Sequence, residues 1–271
     1  MSKSVGKSVT RVDAYEKATG RARYMDDLCD RSALIAKICH STIAHGFVKS
    51  VDTSAAEAAP GVVKILTCFD APDIEFPTAG HPWSTDPHHQ DMADRKLLNQ
   101  HVRYYGDEVA VAIAEDEIAA VQAVRALRVE YEELPFVLDA QEAMKDGAPQ
   151  LHEGRYPHNI LAHSDVRRGD YEAARQEPGL IKVEGWYDTP TVQHCHIENH
   201  GCFACEEAGR VVVVSSTQIP HIVRRVVGQA LGIPWGKVRI IPISAGASAT
   251  SRTRCTSPCA PGAPPRWGDA L

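Results

Sequence analysis

The chain has 271 residues and a formal net charge of −6, and its 44% hydrophobic and 24% charged residues are typical of a globular protein. This length allows two domains with a sizeable core, the acidic balance gives no reason to expect nucleic acid, and no apolar run is long enough to cross a membrane. The N-terminus lacks the apolar stretch of a secretory signal, so we expect a cytoplasmic protein with reduced cysteines.

The first predicted domain covers residues 11–145, after a lead-in at residues 1–10 that we expect to be disordered. Apolar runs predict strands at Leu34–Cys39 and Val62–Thr67, and an alanine-rich pattern predicts a helix at Thr53–Ala59 between them. The elements therefore follow one another in the order strand, helix, strand.

The same order recurs further along this domain. Val109–Ala114 predicts a strand, Asp116 is a helix N-cap followed by apolar residues at helical spacing, and Val129–Tyr131 predicts another strand. This succession indicates a helix whose apolar stripe packs on a sheet. The predicted fold class is α+β for this domain.

Residues 146–179 are expected to be a linker, with one short helix at Tyr171–Arg175. The second predicted domain, residues 180–243, starts with a strand at Leu180–Tyr187. A hairpin is expected next, with strands at Gln193–Ala204 and Val211–Val214 around a turn at residues 206–209.

A helix at His221–Leu231 follows, with Pro220 in its first turn and Gly232 at its end, and the last predicted strand is Val238–Ile241. Because this domain ends after so few strands, we expect Val211–Val214 to expose an apolar edge. Residues 244–271 contain no Ile, Val, Phe or Met, so their composition predicts a disordered tail.

Zinc binding is an alternative for the segment 191–218, which holds clustered histidines and cysteines. On a strand Cys202 and Cys205 point to opposite faces, and no second ligand pair lies at helical spacing. We therefore predict no metal ligands here, nor in the Pro-rich loop that precedes the first domain's last strands. The residues concerned are His194, Cys195, His196, His200, Cys202 and Cys205 in this segment, Asp86, His88, His89 and Asp91 in the loop, and the tail pair Cys255 and Cys259.

Gln218 is the candidate ligand-binding residue. It ends a polar run, Ser215–Gln218, that comes directly after four valines and directly before a helix start. Such strand ends carry ligand contacts in α/β proteins. The simpler alternative is that Ser216 or Thr217 only caps the helix.

Several motifs, taken in order over residues 11–241, resemble the xanthine dehydrogenase and aldehyde oxidase family. Those of the first domain resemble the α/β hammerhead domain, and those of the second resemble the start of the molybdopterin-binding domain, particularly that of bacterial xanthine dehydrogenase molybdenum-binding subunits. The motifs are Asp13, Lys17–Tyr24, Ala44–Gly46, Pro60–Val62, Tyr105–Asp107 and Val129–Glu132, then His194, Glu198, Ser216–Gln218, Leu231–Pro234 and Val238–Arg239.

This resemblance implies that the amide of Gln218 binds an oxygen ligand of the molybdenum, and that His194 and Glu198 are structural supports. It also implies hydroxylation of purines with oxygen from water, and electron transfer through flavin and iron-sulphur partners. The family's glycine-rich loop, substrate residues and catalytic base are absent, so no catalytic residue is predicted.

The resemblance stops after Ile241, where one choice of codons for Ala245–Gly262, read from its third base, encodes GGFGNKQDALYEPLCAW. That string resembles the missing family segment, so we expect a shift of reading frame after Ile241. The chain is then an N-terminal fragment that retains no molybdopterin and is inactive alone. The alternative function is a non-catalytic module that binds the partner subunits.

Overall fold

The structure is a computed structural model that describes residues 5–77, 93–152, 154–161, 163, 165–190, 192 and 201–243. The expectations for the Pro-rich loop, for His194 to His200 and for the tail after residue 243 lie outside these described residues. Within them, no helix combines the length and the apolar character needed to cross a membrane.

The described residues form eleven strands and seven helices, with short 3-10 turns at Pro157–Asn159 and Trp235–Lys237. The strands are β1 Ile35–His40, β2 Gly46–Asp52, β3 Val62–Thr67, β4 Phe76–Pro77, β5 Ala93–Arg95, β6 His101–Val102, β7 Glu108–Ala114, β8 Arg128–Glu133, β9 Cys202–Glu207, β10 Arg210–Ser215 and β11 Val238–Pro242. The helices are α1 Ala14–Ala18, α2 Met25–Leu28, α3 Ser54–Glu57, α4 Glu117–Ala126, α5 Ala140–Ala143, α6 Tyr171–Ala174 and α7 Pro220–Ala230.

The chain divides into two compact units, and each unit is built from segments that are separated in the sequence. One unit comprises Met1–Pro82, Asp91–Phe136 and His196–Leu271, and the other comprises Trp83–Gln90 and Val137–Cys195. The first unit contains β1 to β11, and the second contains α5 and α6. The domain boundaries at residues 145 and 180 remain predictions.

The central sheet of the first unit has the order β1-β7-β3, and both flanking strands are antiparallel to β7. The middle strand is buried along nearly its whole length and has alanines on the side that faces α4. The small side chains of Ala112 and Ala114 let Ala119, Ala120 and Ala123 of the helix approach closely. The predicted packing of a helical apolar stripe on a sheet is therefore confirmed.

The strands on either side of α4 do not belong to the same sheet. β7 lies in the central sheet, whereas β8 pairs with β2 in a second sheet of order β6-β2-β8. The sequence reading missed β2, and it treated β7, α4 and β8 as one layer. In the second sheet Val48 and Val102 are fully buried and pack against Val109 of the central sheet, so both sheets share one core.

The third sheet has the order β11-β10-β9, in which β10 is antiparallel to β9 and parallel to β11. The expected hairpin is present, but its first strand runs to Glu207. Ala208 and Gly209 both have positive φ angles, of 50° and 71°, which is the backbone of a two-residue hairpin turn. The expected apolar edge at Val211–Val214 is wrong, because β10 lies between two partners.

The predicted strand at Leu180–Tyr187 is also wrong: residues 180–190 form neither strand nor helix. A strand needs a neighbour to receive its backbone hydrogen bonds, and none of the described sheets includes this segment. The apolar pattern is real, but it lacks a partner within the described chain.

Asn159 organises the second unit around its side-chain amide. Its Nδ2 donates to the carbonyl oxygens of Ala143 and Pro149, at 2.9 Å each, and its Oδ1 accepts from the backbone N–H of Leu151 at 2.9 Å. Its φ of 56° lies in the left-handed region, which asparagine tolerates better than most residues. One side chain therefore fixes the loop from α5 to the 3-10 turn.

Replacing Asn159 with alanine should destabilise this loop by about 2–4 kcal/mol, since three hydrogen bonds are lost and alanine disfavours a positive φ. Hydrogen exchange of the amides of residues 143–151 should accelerate accordingly. Asn159→Gly loses the same bonds but permits the backbone angle, so its effect should be smaller. Unchanged exchange in the alanine variant would contradict this role.

Candidate functional site

The candidate site lies where β10 ends and α7 begins. Val212, Val213 and Val214 are buried within the third sheet, and Ser215, Ser216 and Thr217 after them are at most 4% exposed. Gln218 is exposed in the bend that follows. The expected position of Gln218 at a strand end, directly before a helix, is therefore confirmed, whereas its role as a ligand remains a prediction.

Backbone hydrogen bonds fix the turn that presents Gln218. The N–H of Thr217 donates to Ser215 O at 2.9 Å, and the N–H of Ile243, after β11, donates to the same oxygen at 3.2 Å. The hydroxyl of Thr217 accepts from the N–H of Ile219 at 3.2 Å. Ile219 is itself the N-cap of α7 and no side-chain cap is present, so Thr217 stabilises the preceding turn and does not cap the helix.

Ser215 contributes an unusual polar atom next to this turn. Its side chain is fully buried, and its Oγ has no hydrogen-bond partner among the described residues. A buried hydroxyl without a partner is costly in a folded protein. The strand end thus combines one buried hydroxyl with one exposed neutral amide.

Helix α7 is held in place by close packing at its C-terminal half. A Cβ added at Gly228 would lie 2.7 Å from Cδ1 of Trp235, so only glycine fits against this indole. Gly232 follows with a φ of 63°, as expected for a residue that ends a helix. Arg225 is almost fully buried in the same helix and donates to Oε1 of Gln229 at 2.8 Å.

Three of the five described cysteines, Cys39, Cys202 and Cys205, lie on strands, whereas Cys29 and Cys68 lie directly after α2 and β3. Cys202 and Cys205 are three residues apart on β9, where they point to opposite faces, and Cys202 is buried. In the first domain, burial raises the pKa of Cys39, and it raises the pKa of Cys68 to about 11, so these thiols stay protonated at neutral pH. Within the described residues no three His, Cys, Asp or Glu side chains come together as metal ligands.

The sequence reading missed a buried ionic network around Asp107. This carboxylate is 2% exposed, and its Oδ1 accepts from Nη1 of Arg95 at 2.7 Å and from Nδ2 of Asn99 at 2.9 Å. Its Oδ2 accepts from the N–H of Arg103 at 3.2 Å. Burial lowers the pKa of the Arg103 guanidinium, and the neighbouring Asp94 and Asp107 partly offset that shift.

A histidine pair was missed as well. Nε2 of His45 lies 3.1 Å from Nε2 of His101, and Nδ1 of His45 lies 2.8 Å from the carbonyl oxygen of Pro135. Since a carbonyl oxygen only accepts, Nδ1 of His45 is the donor in its contact with Pro135. The pair fixes the point where the chain leaves β8. In the sequence, only the Ala44–Gly46 motif drew attention to His45, and that motif does not indicate that His101 is its partner.

Two protein-family models match the chain, one in its first half and one in its second half. The family model described as "Aldehyde oxidase and xanthine dehydrogenase, a/b hammerhead domain" matches residues 19–135, and the model of the molybdopterin cofactor-binding domain matches residues 151–248. The two models together cover most of the chain, a hammerhead domain followed by a molybdopterin cofactor-binding domain. The chain belongs to the aldehyde oxidase and xanthine dehydrogenase family.

Among its curated relatives, the chain is 45% identical over 237 residues to the xanthine dehydrogenase molybdenum-binding subunit of Escherichia coli O157:H7, covering 87% of this chain and 31% of that protein. It is 33% identical over 240 residues to the carbon monoxide dehydrogenase large chain of Hydrogenophaga pseudoflava, covering 82% of this chain and 28% of that one. The chain therefore spans about a third of the length of these relatives.

Solved structures give the same result for the fold. The aldehyde oxidoreductase of Desulfovibrio desulfuricans ATCC 27774 superposes with a TM-score of 0.78 at 26% identity, covering 90% of this chain and 27% of that one. Quinoline 2-oxidoreductase of Pseudomonas putida 86 gives a TM-score of 0.75 at 26% identity, covering 91% and 31%. The predicted fold class, a hammerhead domain followed by the start of a molybdopterin-binding domain, is confirmed, as is molybdopterin as the cofactor of the family.

Proposed function

We propose that this chain supplies the hammerhead domain and the first part of the cofactor domain of a xanthine dehydrogenase-like enzyme that hydroxylates purines. The observation that supports the proposal most strongly is the exposed amide of Gln218 at the end of β10, within the segment that matches the molybdopterin-binding domain. The 45% identity to a xanthine dehydrogenase subunit favours purines over the aldehydes and other substrates of more distant relatives.

In this proposal Gln218 holds the cofactor through its side-chain amide. The residues at the strand end fit such a group, because a neutral amide donates a hydrogen bond without titrating and Gln218 presents its amide at an exposed position. When bound, molybdopterin supplies the redox-active metal. The buried turn at Ser215 to Thr217 keeps the Gln218 backbone fixed, so only the side chain has to be ordered on binding.

We propose further that the 271-residue chain does not retain the cofactor by itself. One hydrogen bond from an amide contributes only about 1 kcal/mol net, which is small beside the cost of immobilising a large anionic ligand. Turnover therefore requires further contacts from the part of the relatives' length that this chain does not span. No catalytic residue is assigned within it.

Partner subunits belong to the same proposal. The relatives are described as a molybdenum-binding subunit and as a large chain, which are names of components of larger enzymes. We assign flavin and iron-sulphur subunits as the partners of this chain, because oxidation of a purine at the molybdenum must deliver its electrons to other carriers.

The test uses a chimaera of residues 1–243 with the downstream part of the Escherichia coli molybdenum-binding subunit, expressed with its partner subunits. This chimaera should bind molybdenum and oxidise xanthine, whereas the 271-residue chain should do neither. In the chimaera, Gln218→Ala should lower turnover about two- to tenfold, because one cofactor hydrogen bond is lost.

Gln122→Ala is the matched control, since Gln122 is an exposed glutamine on α4 of the same unit and should be replaceable without loss of turnover. Circular dichroism should show that both variants keep the fold. Equal molybdenum content and turnover in the Gln218→Ala chimaera and its parent would contradict the assignment of Gln218. Xanthine oxidation by the 271-residue chain would contradict the need for further contacts.

A further inference from the structure

The contact between His45 and His101 lies inside the hammerhead domain. His45 is only 5% exposed, and the ring of His101 stacks on that of Phe47 with 4.4 Å between the ring centroids. The hammerhead family model covers residues 19–135, so all groups of this contact belong to one domain that the chain contains. The contact is therefore a property of that domain and does not depend on the part of the relatives that this chain does not span.

His45 joins two points that are far apart in the sequence. Its Nε2 lies 3.1 Å from Nε2 of His101, at the start of β6. Its Nδ1 donates to the carbonyl oxygen of Pro135 at 2.8 Å, and its own carbonyl oxygen accepts from the N–H of Leu134 at 3.0 Å. Both of these residues come directly after β8. One residue thus ties β6 to the end of β8.

The contact between the two imidazoles holds one proton, whichever ring carries it. Each nitrogen of a neutral imidazole either donates or accepts, whereas both nitrogens of an imidazolium ion donate. If both rings become imidazolium ions, two N–H groups with positive charge face each other and neither has an acceptor. The intact contact therefore holds one proton fewer than two separate imidazolium ions do.

The charged side chains at this end of the second sheet balance one another. Glu132 and Glu133, the last residues of β8, are exposed. Lys49 on β2 is exposed as well, and the guanidinium of Arg103, just after β6, donates to a backbone carbonyl oxygen at 3.1 Å. Two negative and two positive groups thus lie on the strands around the pair. The response of the contact to acid is therefore decided by the two imidazoles.

We propose that His45 and His101 form an acid-sensitive lock, which ties β6 to the end of β8 at neutral pH and opens when both rings are protonated. An imidazole in water takes up its proton near about pH 6.5, so the unfolded chain gains both protons below this pH. The locked domain binds one proton fewer, and the state that binds fewer protons loses stability as the pH falls. The lock is therefore closed above about pH 7 and weakens between about pH 6 and pH 5.

The variant His101→Gln should keep the contact but remove its response to acid. A glutamine side chain can present either its N–H or its carbonyl oxygen to Nε2 of His45, so it suits both protonation states of that ring. Between pH 7 and pH 5 the unfolding equilibrium constant of the parent chain should rise about tenfold more than that of the variant, because one proton is involved. Chemical denaturation of the 271-residue chain at a series of pH values measures this difference.

His40→Gln is the matched control. Nδ1 of His40 also contacts a backbone carbonyl oxygen, that of Gly106 at 2.8 Å, but this residue is exposed and its contact involves a single imidazole. The control variant should therefore keep the acid dependence of the parent chain.

Hydrogen exchange of the parent chain is a second measurement that needs no variant. The amide of Leu134, which donates to His45, should lose protection between pH 7 and pH 5 by a larger factor than the amides of β7. Protection is taken relative to the intrinsic exchange rate at each pH, so the chemical effect of acid on exchange cancels.

Three results would overturn the proposal. The first is an equal acid dependence in the parent chain and in His101→Gln. The second is a loss of acid dependence in His40→Gln as large as that in His101→Gln. The third is a constant ratio of protection between Leu134 and β7 over the whole pH range, which decides the matter even if His101→Gln does not fold.

Discussion

Replacing Asp107 with alanine is expected to lower the free energy of unfolding of the first unit by about 3–5 kcal/mol. The carboxylate accepts hydrogen bonds from Arg95, Asn99 and the backbone of Arg103 inside the core beside β7. Without it the guanidinium of Arg95, 2.7 Å from Oδ1 in the parent chain, is left in a largely buried position without its nearest negative charge. A largely buried charge that keeps only its more distant partner, Glu108 at 3.9 Å, is what makes the loss large.

Chemical denaturation followed by circular dichroism measures this loss, and hydrogen exchange locates it. The amides of β1, β3 and β7 should all exchange faster, because Asp107 stands immediately before the central strand. Asp107→Asn keeps the shape and one acceptor oxygen while removing the charge, so its effect should lie between those of the parent chain and the alanine variant.

The exposed pair of Lys37 with Glu117 is the matched control. Its N–O distance is also 2.7 Å, but the carboxylate side chain is 70% exposed. Glu117→Gln should therefore shift the denaturation midpoint far less than either Asp107 variant, since exposed pairs contribute little. Equal shifts in the two pairs would show that burial does not govern the energy of the Asp107 network.

The sequence could predict elements whose signals are local. Strand β3 has the predicted bounds, and Asp116 caps α4 by accepting from the N–H of Ala119 at 2.8 Å, as expected. Pro220 and Gly232 mark the ends of α7 within a few residues of their predicted positions. Each of these signals depends on neighbours along the chain, so no knowledge of the sheet was needed.

Elements that depend on distant partners could not be predicted in this way. Whether β7 and β8 share a sheet is decided by β2, which the pattern did not reveal. The contact of His45 with His101 joins residues 56 positions apart, and nothing local distinguishes a paired histidine from an exposed one. Periodicity likewise describes Leu180–Tyr187 as strand-like but contains no information on what would pair with it.

The candidate site was found from a combination of two signals. A polar run after a buried strand indicated the position of Gln218, which the structure confirms, but alone it also fitted a simple helix cap. The resemblance supplied the chemical role, which the proposed chimaera tests. The burial of Ser215, Ser216 and Thr217 was not foreseen, because burial within a run of four polar residues leaves no mark in the sequence.

Replacing Gly46 with alanine is expected to destabilise the first unit by about 3 kcal/mol or more, because the second sheet has no space for a side chain there. Gly46 pairs with Val102 on one side and Glu133 on the other. A Cβ at this position would lie 2.2 Å from the carbonyl oxygen of Glu132 and 2.8 Å from Cδ1 of Ile43. The first contact is with backbone, so β2 and β8 must separate to relieve it.

Gly106→Ala separates this steric effect from the conformational preference of glycine. Gly106 also has a positive φ, of 98°, but the nearest atom to an added Cβ is 4.0 Å away in the ring of Tyr104. Its cost should be only about 1–2 kcal/mol, and the exchange of the β8 amides should stay as in the parent chain. In Gly46→Ala those amides should lose protection first, because Glu132 is the residue displaced. If the two alanine variants are equally stable, with equal exchange in β8, then the close approach of β2 to β8 does not limit the stability of the sheet.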